Sequence, residues 1–255
     1  MRIDLNADLG EGDGPWRRGP LPDEDLLALV TSANVAAGFH AGEPLGIAAM
    51  CAKAVQHGVA IGAHPSYDDR EGFGRRPMDV PAPLLRAWVT YQIGAVQALA
   101  RSVGGRVSHV KPHGALYNAI VHDETQAQAV VDAVAGLDPT LTLVGLPGSR
   151  VLALAEAAGI PTVREAFVDR GYRPDGTLVP RSEPGSLVTS PVLAGERAVR
   201  MALEGTVLAV DGTLVDVRAG SLCVHSDTPG SVQIAAAVRS ALAAAGVEVR
   251  AFVEP

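Results

Sequence analysis

The sequence predicts an α/β protein built on parallel strands, with the length expected of one α/β barrel. Short runs rich in β-branched residues alternate with Ala-rich runs, an order that predicts parallel strands joined by right-handed crossovers. The chain has 255 residues, and one α/β barrel occupies roughly 250 residues. Apolar residues make up 47% of the chain but aromatic residues only 4%, so small aliphatic side chains must fill a core of strands covered by helices.

Seven strands and six helices are predicted in alternation. The strands are expected at 3–5, 32–36, 59–63, 107–110, 141–146, 163–167 and 222–224. The helices are expected at 45–57, 84–103, 125–134, 151–158, 192–203 and 232–245. A glycine is predicted to end each helix in the left-handed conformation, at Gly58, Gly104, Gly136, Gly159, Gly205 and Gly246.

Three segments depart from this alternation. Residues 66–83 and 169–191 are polar and rich in Gly and Pro, and long loops of this kind are often functional. The first of them is interpreted either as a lid over a ligand or as a contact surface for a partner. Residues 206–217 alternate around Asp211 and Gly212, which predicts a β-hairpin inserted before the seventh strand. No linker or repeat is visible, so residues 1–255 are predicted to form one barrel domain.

Composition excludes several classes of function. The formal net charge of −7 argues against binding of nucleic acid, which requires a basic surface. No apolar run reaches the ~18 residues of a membrane span, and no apolar signal core is visible near the N-terminus, so a cytoplasmic location is expected. The two cysteines, Cys51 and Cys223, show no zinc-site spacing, and they are predicted to be reduced, buried thiols.

Polar residues gather at the carboxyl ends of the predicted strands. In a parallel sheet or barrel these ends meet on one face, where active sites lie. One such residue is more often structural, but convergence from several strands favours a shared catalytic site. The set comprises Asn6, Asp8, Glu11, Asn34, His40, His64, Lys111, His113, Tyr117, Asn118, Glu165, Asp169, Arg170, His225 and Asp227.

Common catalytic motifs are missing from the sequence. There is no GxxxxGK[ST] phosphate loop and no GxSxG elbow, so neither a Walker-type loop nor a serine nucleophile is expected. Neutral imidazole and carboxylate suit zinc or a similar ion, and Asp8, His40 and His64 are the candidate ligands. Because no HxxxH or HExxH spacing occurs, a tightly bound divalent metal is left open.

Six long segments of the chain resemble one family in unbroken order. They are LNADLGEGDG at 5–14, SANVAAGFHAGEP at 32–44, GAHPSYDDREGFGRR at 62–76, VKPHGALYN at 110–118, EAFVDRGY at 165–172 and CVHSDTPG at 223–230. These segments are similar to those of the LamB/YcsF family, and the resemblance extends over essentially the whole chain.

The resemblance has consequences for fold and activity. It implies an irregular (β/α)7-type barrel related to the glycoside hydrolase/deacetylase type. It also implies cleavage of 5-oxoproline to L-glutamate, coupled to hydrolysis of ATP (with Mg²⁺) to ADP and phosphate. Members of this kind are A subunits, so partner subunits B and C are expected beside the small-molecule substrate.

Roles for individual residues follow as hypotheses. If ATP phosphorylates the lactam oxygen and water then attacks the ring, Asp8 or Asp227 is expected to act as base and His64 or His113 as acid. The remaining polar residues are expected to bind substrate or phosphate, with Arg75 as a further cation. That binding set is Asn6, Asn34, His40, Lys111, Asn118, Glu165, Arg170 and His225.

Two other functions remain open from the sequence. One is a stand-alone, metal-dependent amidohydrolase or deacetylase that acts without ATP. The other is a non-catalytic subunit that only binds a metabolite. The number of proton-transfer groups at the strand ends favours catalysis over binding alone.

Overall fold

A computed structural model describes residues 1–12 and 22–254 of the chain. Its strands are β1 (Arg2–Leu9), β2 (Ser32–Ala36), β3 (Ala60–His64), β4 (Val107–Val110), β5 (Thr142–Gly145), β6 (Thr162–Phe167), β7 (Thr206–Leu208), β8 (Leu214–Asp216), β9 (Ser221–His225) and β10 (Glu248–Val249). Its helices are α1 (Asp23–Leu27), α2 (Pro44–His57), α3 (Ala82–Ser102), α4 (Gly114–Ala119), α5 (Glu124–Leu137), α6 (Arg150–Ala157), α7 (Pro191–Leu203) and α8 (Ser231–Ala244).

Seven parallel strands close into a barrel in the order β1-β2-β3-β4-β5-β6-β9. Closure depends on β9, which pairs with two strands: Ser221 is in register with Asp4 of β1 and with Glu165 of β6. The short β10 adds to the other end of β1, in parallel. The predicted irregular seven-stranded α/β barrel is therefore confirmed.

The two faces of the barrel strands differ in polarity, and β1 illustrates this difference. Leu5 and Leu9 belong to the apolar core, whereas Asp4, Asn6 and Asp8 alternate with them and are also buried. The polar side chains contact residues on other strands of the barrel. The predicted end of the first strand at Leu5 was wrong, because inward polar residues in a buried strand resemble a loop when only the sequence is considered.

The other differences between the predicted and the observed secondary structure mostly concern short elements. The sequence missed α1 and α4, of five and six residues, and the two-residue β10. Gly136 lies inside α5 and not beyond its end, since that helix extends to Leu137. Gly58 does cap α2 in the left-handed conformation, with φ of 64°.

A hairpin and a long loop are among the main connections outside the barrel strands and helices. An antiparallel pair, β7 with β8, occupies the chain between α7 and β9. Residues 65–81 contain no helix or strand, and the Tyr67 hydroxyl ties this loop to α5 by donating to Gln126 Oε1 at 2.5 Å. Both cysteines are free and buried, as predicted. Among the described helices none is long and apolar enough to cross a membrane.

Candidate active site

The barrel interior holds two asparagines whose amide donors are fully used. Asn6 Nδ2 donates to Glu165 Oε1 (2.8 Å) and to Ser221 Oγ (2.7 Å). Asn34 Nδ2 donates to Asn6 Oδ1 (2.8 Å) and to Asp8 Oδ1 (2.9 Å). Because their N–H donors are all used in these hydrogen bonds, the two amides hold the carboxylates in place. Neither asparagine lines the cavity described below. This arrangement favours a positioning role over the predicted contact with substrate.

Lys111 lies at the centre of this network. Its Nζ is 2.9 Å from Asp8 Oδ1, 2.9 Å from Glu165 Oε1 and 3.1 Å from Cys223 Sγ. We call the group the Lys111 cage; its members are Asn6, Asp8, Asn34, Lys111 and Glu165. One ammonium thus faces two carboxylates inside the barrel.

Neighbouring charges favour the ionised forms of Lys111 and Asp8. Burial opposes the charge of Lys111, but Asp8, Cys223 and Glu165 outweigh it and raise the pKa of the ammonium well above its ordinary value. Burial likewise opposes the charge of Asp8, yet His64 and Lys111 hold the pKa of this carboxyl well below its usual range. Both shifts favour the charged forms, an ammonium on Lys111 beside a carboxylate on Asp8.

A second cluster lies beside the cage and consists of three imidazoles and one carboxylate. Glu11 follows β1, His40 follows β2, His64 ends β3, and His113 precedes α4. All four are buried, and one ligand atom from each lies within 4.8 Å of the others. We call this cluster the His/Glu pocket. It contains the predicted ligands His40 and His64, but Glu11 and His113 complete it in place of Asp8.

His225 is oriented by a buried carboxylate. Its Nδ1 lies 3.0 Å from Asp169 Oδ1, and Asp169 also accepts from the His225 amide (2.9 Å) and from Thr228 Oγ1 (2.7 Å). Although burial disfavours the charged carboxyl, His225 and these donors lower the pKa of Asp169 to about 2. The other imidazole nitrogen, Nε2, lies 4.0 Å from Asp8 Oδ2. A fixed imidazole with one free nitrogen is suited to proton transfer.

A cavity of about 700 Å³ opens above these groups. Its lining includes Asp8, His64, Arg75, Lys111, His113, Tyr117, Asn118, Phe167, Arg170, Arg173, Arg181 and His225. The sequence predicted that residues from several strand ends would lie together. The predicted residues that line this cavity are Asp8, His64, Arg75, Lys111, His113, Tyr117, Asn118, Arg170 and His225. Asn6, Asn34, His40 and Glu165 lie deeper, and Asp227 stands outside the lining.

Asp227 is held at the rim by two guanidinium groups. Arg75 donates to its Oδ2 at 2.6 Å and Arg181 to its Oδ1 at 3.2 Å. Burial opposes its charge, but the two arginines still lower the pKa of the carboxyl. A carboxylate paired in this way is a weak base, so the contacts favour a role in joining the surrounding loops over the predicted catalytic one.

Arg170 also has a structural role. Its Nε donates to the Ser186 carbonyl (3.0 Å) and one terminal nitrogen donates to the Val179 carbonyl (2.7 Å). Burial lowers the pKa of this guanidinium to about 10, which still leaves it charged at neutral pH. The residue therefore orders the loop at 168–190 while it contributes positive charge to the cavity wall.

Sequence reasoning missed His109, which lies within β4. Its Nε2 is 3.1 Å from Asn34 Oδ1, and burial lowers the pKa of the ring to about 3. Gly62 pairs with His109 in register, and a Cβ on that glycine would overlap the imidazole. A histidine in a strand and a glycine in the neighbouring strand were the available signals, but only the barrel register connects them.

Comparisons with known proteins agree with this architecture. The A subunit of 5-oxoprolinase from Streptomyces avermitilis is 58% identical over 250 residues, which cover 98% of this chain and 99% of that protein. The crystal structure of a lactam utilization protein from Thermus thermophilus has 49% identity and a TM-score of 0.91, covering 99% of this chain and 100% of its own.

A more distant structure shares the fold alone. The family 4 carbohydrate esterase from Streptomyces lividans, solved with acetate, has 11% identity and a TM-score of 0.52 over 99% of this chain and 93% of its own. The model of the LamB/YcsF family matches residues 3–255. With this match along nearly its whole length, and with relatives that span it end to end, the chain belongs to the LamB/YcsF family.

Proposed function

We propose that this chain is the A subunit of an ATP-dependent 5-oxoprolinase, which cleaves 5-oxoproline to L-glutamate. The observation that carries the proposal is the meeting of Asp8, Lys111 and His225 on one cavity, in a chain 58% identical to the A subunit of a 5-oxoprolinase. Ionised groups and an oriented imidazole in one enclosed site are suited to hydrolysis of an amide.

The charge of the cavity matches the substrate. The 5-oxoproline molecule is a five-membered lactam bearing one carboxylate, and its proposed activation brings a phosphoryl group to the ring oxygen. Four arginines line the cavity: Arg75, Arg170, Arg173 and Arg181. Three of them already pair with carboxylates, Arg75 and Arg181 with Asp227 and Arg173 with Glu183. Guanidinium groups bind carboxylate and phosphate oxygens well, so these side chains still place positive charge beside an anionic ligand in a protein whose net charge is −7.

The proton transfers are assigned to His225. After ATP phosphorylates the lactam oxygen and releases ADP, water attacks the ring carbon while His225 Nε2 accepts a proton from it. The ring C–N bond then breaks, and the same imidazole returns the proton to the departing nitrogen, which leaves the acyl phosphate of glutamate. A second water hydrolyses this acyl phosphate to L-glutamate and phosphate. Asp169 keeps the imidazole oriented, and Asp8, with Oδ2 4.0 Å from Nε2, stabilises its charged form.

Partner subunits complete the proposal. We expect the chain to work in the cytoplasm with 5-oxoprolinase subunits B and C, and with ATP and Mg²⁺ as co-substrates. The test is release of glutamate from 5-oxoproline by the complete set of subunits, with and without ATP, and again with this chain omitted. ATP-dependent release that is lost on omission supports the proposal. Release of acetate or amine from N-acyl substrates without ATP would instead favour an amidohydrolase.

Variants test the assigned site within the same assay. We expect His225→Gln and Asp8→Asn to lower turnover by about 100-fold or more, the usual scale of a lost proton-transfer group. His57→Gln is the matched control, since this histidine is exposed at the end of α2 and should leave turnover unchanged. Alanine substitutions at Asp8, His64 and His113 provide the contrary outcome. If each variant kept turnover within about threefold of wild type, the site would be contradicted, because loss of a proton-transfer group normally lowers turnover much more.

A further inference from the structure

The His/Glu pocket has the composition of a metal centre. Its four members come from four different parts of the chain, yet Glu11, His40, His64 and His113 each place one ligand atom within 4.8 Å of the other three. All four side chains are at least nine-tenths buried. Three imidazoles and a carboxylate form a ligand set that suits zinc and related divalent ions.

Two of the imidazoles have their protons on the far side of the ring. His64 Nδ1 lies 2.6 Å from the Lys111 carbonyl, and His113 Nε2 lies 2.9 Å from the Phe73 carbonyl. A carbonyl oxygen only accepts, so both of these nitrogens must carry hydrogen. In the neutral rings, the remaining nitrogens, His64 Nε2 and His113 Nδ1, then present lone pairs to the pocket.

The third imidazole is oriented in the same way through a serine. Ser66 Oγ donates its hydrogen to the Tyr67 carbonyl at 2.8 Å, so it must accept from His40 Nδ1, which lies 3.1 Å away. The lone pair of neutral His40 is therefore on Nε2, which faces the pocket. Outward donors that fix the tautomer in this manner are the usual second shell of a metal-bound histidine.

When all three rings are neutral, no hydrogen-bond donor of the described residues lies between these inward lone pairs. His64 Nε2 and His113 Nδ1 are 3.0 Å apart, and His40 Nε2 is 3.0 Å from Glu11 Oε1. Glu11 Oε1 also lies 3.3 Å from His113 Nδ1 and 3.8 Å from His64 Nε2. An added proton relieves one such contact, whereas a single cation at the centre satisfies all four atoms together.

The spacing fits a transition-metal ion. Zinc–nitrogen bonds of about 2.0–2.1 Å place the ligand atoms of a tetrahedral site about 3.3–3.4 Å apart. Four of the six separations among the ligand atoms here run from 3.0 to 3.8 Å, and the other two are at most 4.8 Å. Loop 65–81 covers the site, because the Phe73 ring packs edge-on against His40 and His113 with centroids 5.6 and 5.5 Å away. Imidazole ligands favour zinc-type ions over Mg²⁺ or Ca²⁺, which prefer oxygen.

We propose that Glu11 Oε1, His40 Nε2, His64 Nε2 and His113 Nδ1 bind one zinc-type divalent metal ion per chain. The bound ion adjoins the cavity, because His64 and His113 also line it. Asp8 Oδ2, 3.3 Å from His64 Nε2, adds a negative charge that favours a cation. Metal binding at this pocket does not depend on the proposed 5-oxoprolinase activity.

Metal binding by the full chain provides the test. Protein stripped with a strong chelator and exchanged into chelator-free buffer is titrated with Zn²⁺ by calorimetry, and separately with Co²⁺, whose visible absorption reports coordination by nitrogen. Wild type is expected to bind one ion per chain. His40→Gln and His113→Gln are expected to weaken binding more than about 100-fold, since even second-shell changes cost about 10–100-fold. His57→Gln, exposed at the end of α2, should bind like wild type.

Circular dichroism and thermal unfolding of each variant establish that it is folded. If folded wild type binds no ion, or if folded His40→Gln and His113→Gln bind as tightly as His57→Gln, the metal site is refuted and a proton occupies the pocket instead. The readout separates this proposal from the enzymatic one. Stoichiometric metal binding without glutamate release refutes only the proposed function, whereas glutamate release by a chain that binds neither Zn²⁺ nor Co²⁺ in the titration refutes only the metal site.

Discussion

The Lys111 cage and the His/Glu pocket are neighbours at one end of the barrel, but they balance charge differently. In the cage, one ammonium lies 2.9 Å from an oxygen of each of two carboxylates. In the pocket, three imidazoles direct their donors outward to Lys111, Phe73 and Ser66. The two clusters meet where Asp8 Oδ2 lies 3.3 Å from His64 Nε2.

The two clusters use buried polar groups in different ways. The cage contains its own counter-ion, so it is complete when the chain folds, and breaking it leaves a buried charge without a partner. With its imidazoles neutral, the pocket supplies acceptors and contains no cation among the described residues, so it is complete only when it takes up a proton or a metal ion. Changes to the cage should therefore appear first in stability, and changes to the pocket first in binding.

The largest expected effect comes from removing the cation of the cage. Lys111→Met leaves Asp8 and Glu165 buried with no ammonium between them, and we expect the free energy of unfolding to fall by about 3–5 kcal/mol. Urea unfolding followed by circular dichroism measures this. Lys53→Met is the matched control: its exposed pair with Glu24 should contribute at most about 1 kcal/mol. Equal urea midpoints for the two variants would mean that the cage is not internally balanced as described.

The pair of Asp169 with His225 is a second self-contained unit, and it should respond to pH. The pKa of Asp169 is lowered from 3.8 to about 2, because His225 and nearby donors outweigh burial. A lowered folded-state pKa stabilises the fold above the unfolded value, and this contribution is lost as pH falls through the folded one. Asp169→Asn should therefore cost about 2 kcal/mol at neutral pH.

The loss of stability caused by Asp169→Asn should depend on pH. The difference in unfolding free energy between wild type and Asp169→Asn should shrink as pH falls from about 4 to about 2, where the native carboxylate itself becomes protonated. Urea unfolding at several pH values measures this. The control is Asp175→Asn, whose exposed carboxylate accepts hydrogen bonds from the neighbouring Thr177. A difference between wild type and Asp169→Asn that stays constant over this range would show that charge is not its source.

The smallest change in stability is expected for a variant at the edge of the pocket. Ser66→Ala removes the acceptor that orients His40, and a lost hydrogen bond of this kind costs about 1 kcal/mol of stability. The affinity for Zn²⁺ should fall by about tenfold or more, because the tautomer of the ligand is no longer fixed. The two readouts are urea unfolding and calorimetric titration with Zn²⁺.

The control for Ser66→Ala is another serine that donates to a backbone carbonyl. Ser102→Ala removes an exposed hydroxyl that donates to the Leu99 carbonyl, and it should leave the affinity for Zn²⁺ unchanged. If Ser66→Ala lost as much stability as Lys111→Met, or bound Zn²⁺ as tightly as Ser102→Ala, the distinction between the two clusters would fail.

The alternation of strands and helices, and the position of polar residues at the strand ends, could be predicted from the sequence alone. These properties depend on neighbours along the chain: apolar periodicity, and glycines such as Gly58 that end helices. The family was also visible at this level, since its motifs are continuous segments. The inward polar positions Asn6 and Asp8 were misplaced after the first strand because local patterning does not separate a polar barrel interior from a loop.

Which of these residues contact one another depends on the folded chain. Lys111 meets Asp8 across 103 positions of sequence, and Asn6 meets Glu165 across 159. Glu11, and not Asp8, completes the His/Glu pocket, while Asp227 pairs with Arg75 at the rim. Such contacts depend on the register in which β9 joins β1 and β6, and closure of a barrel is a property of the whole chain that no local segment encodes.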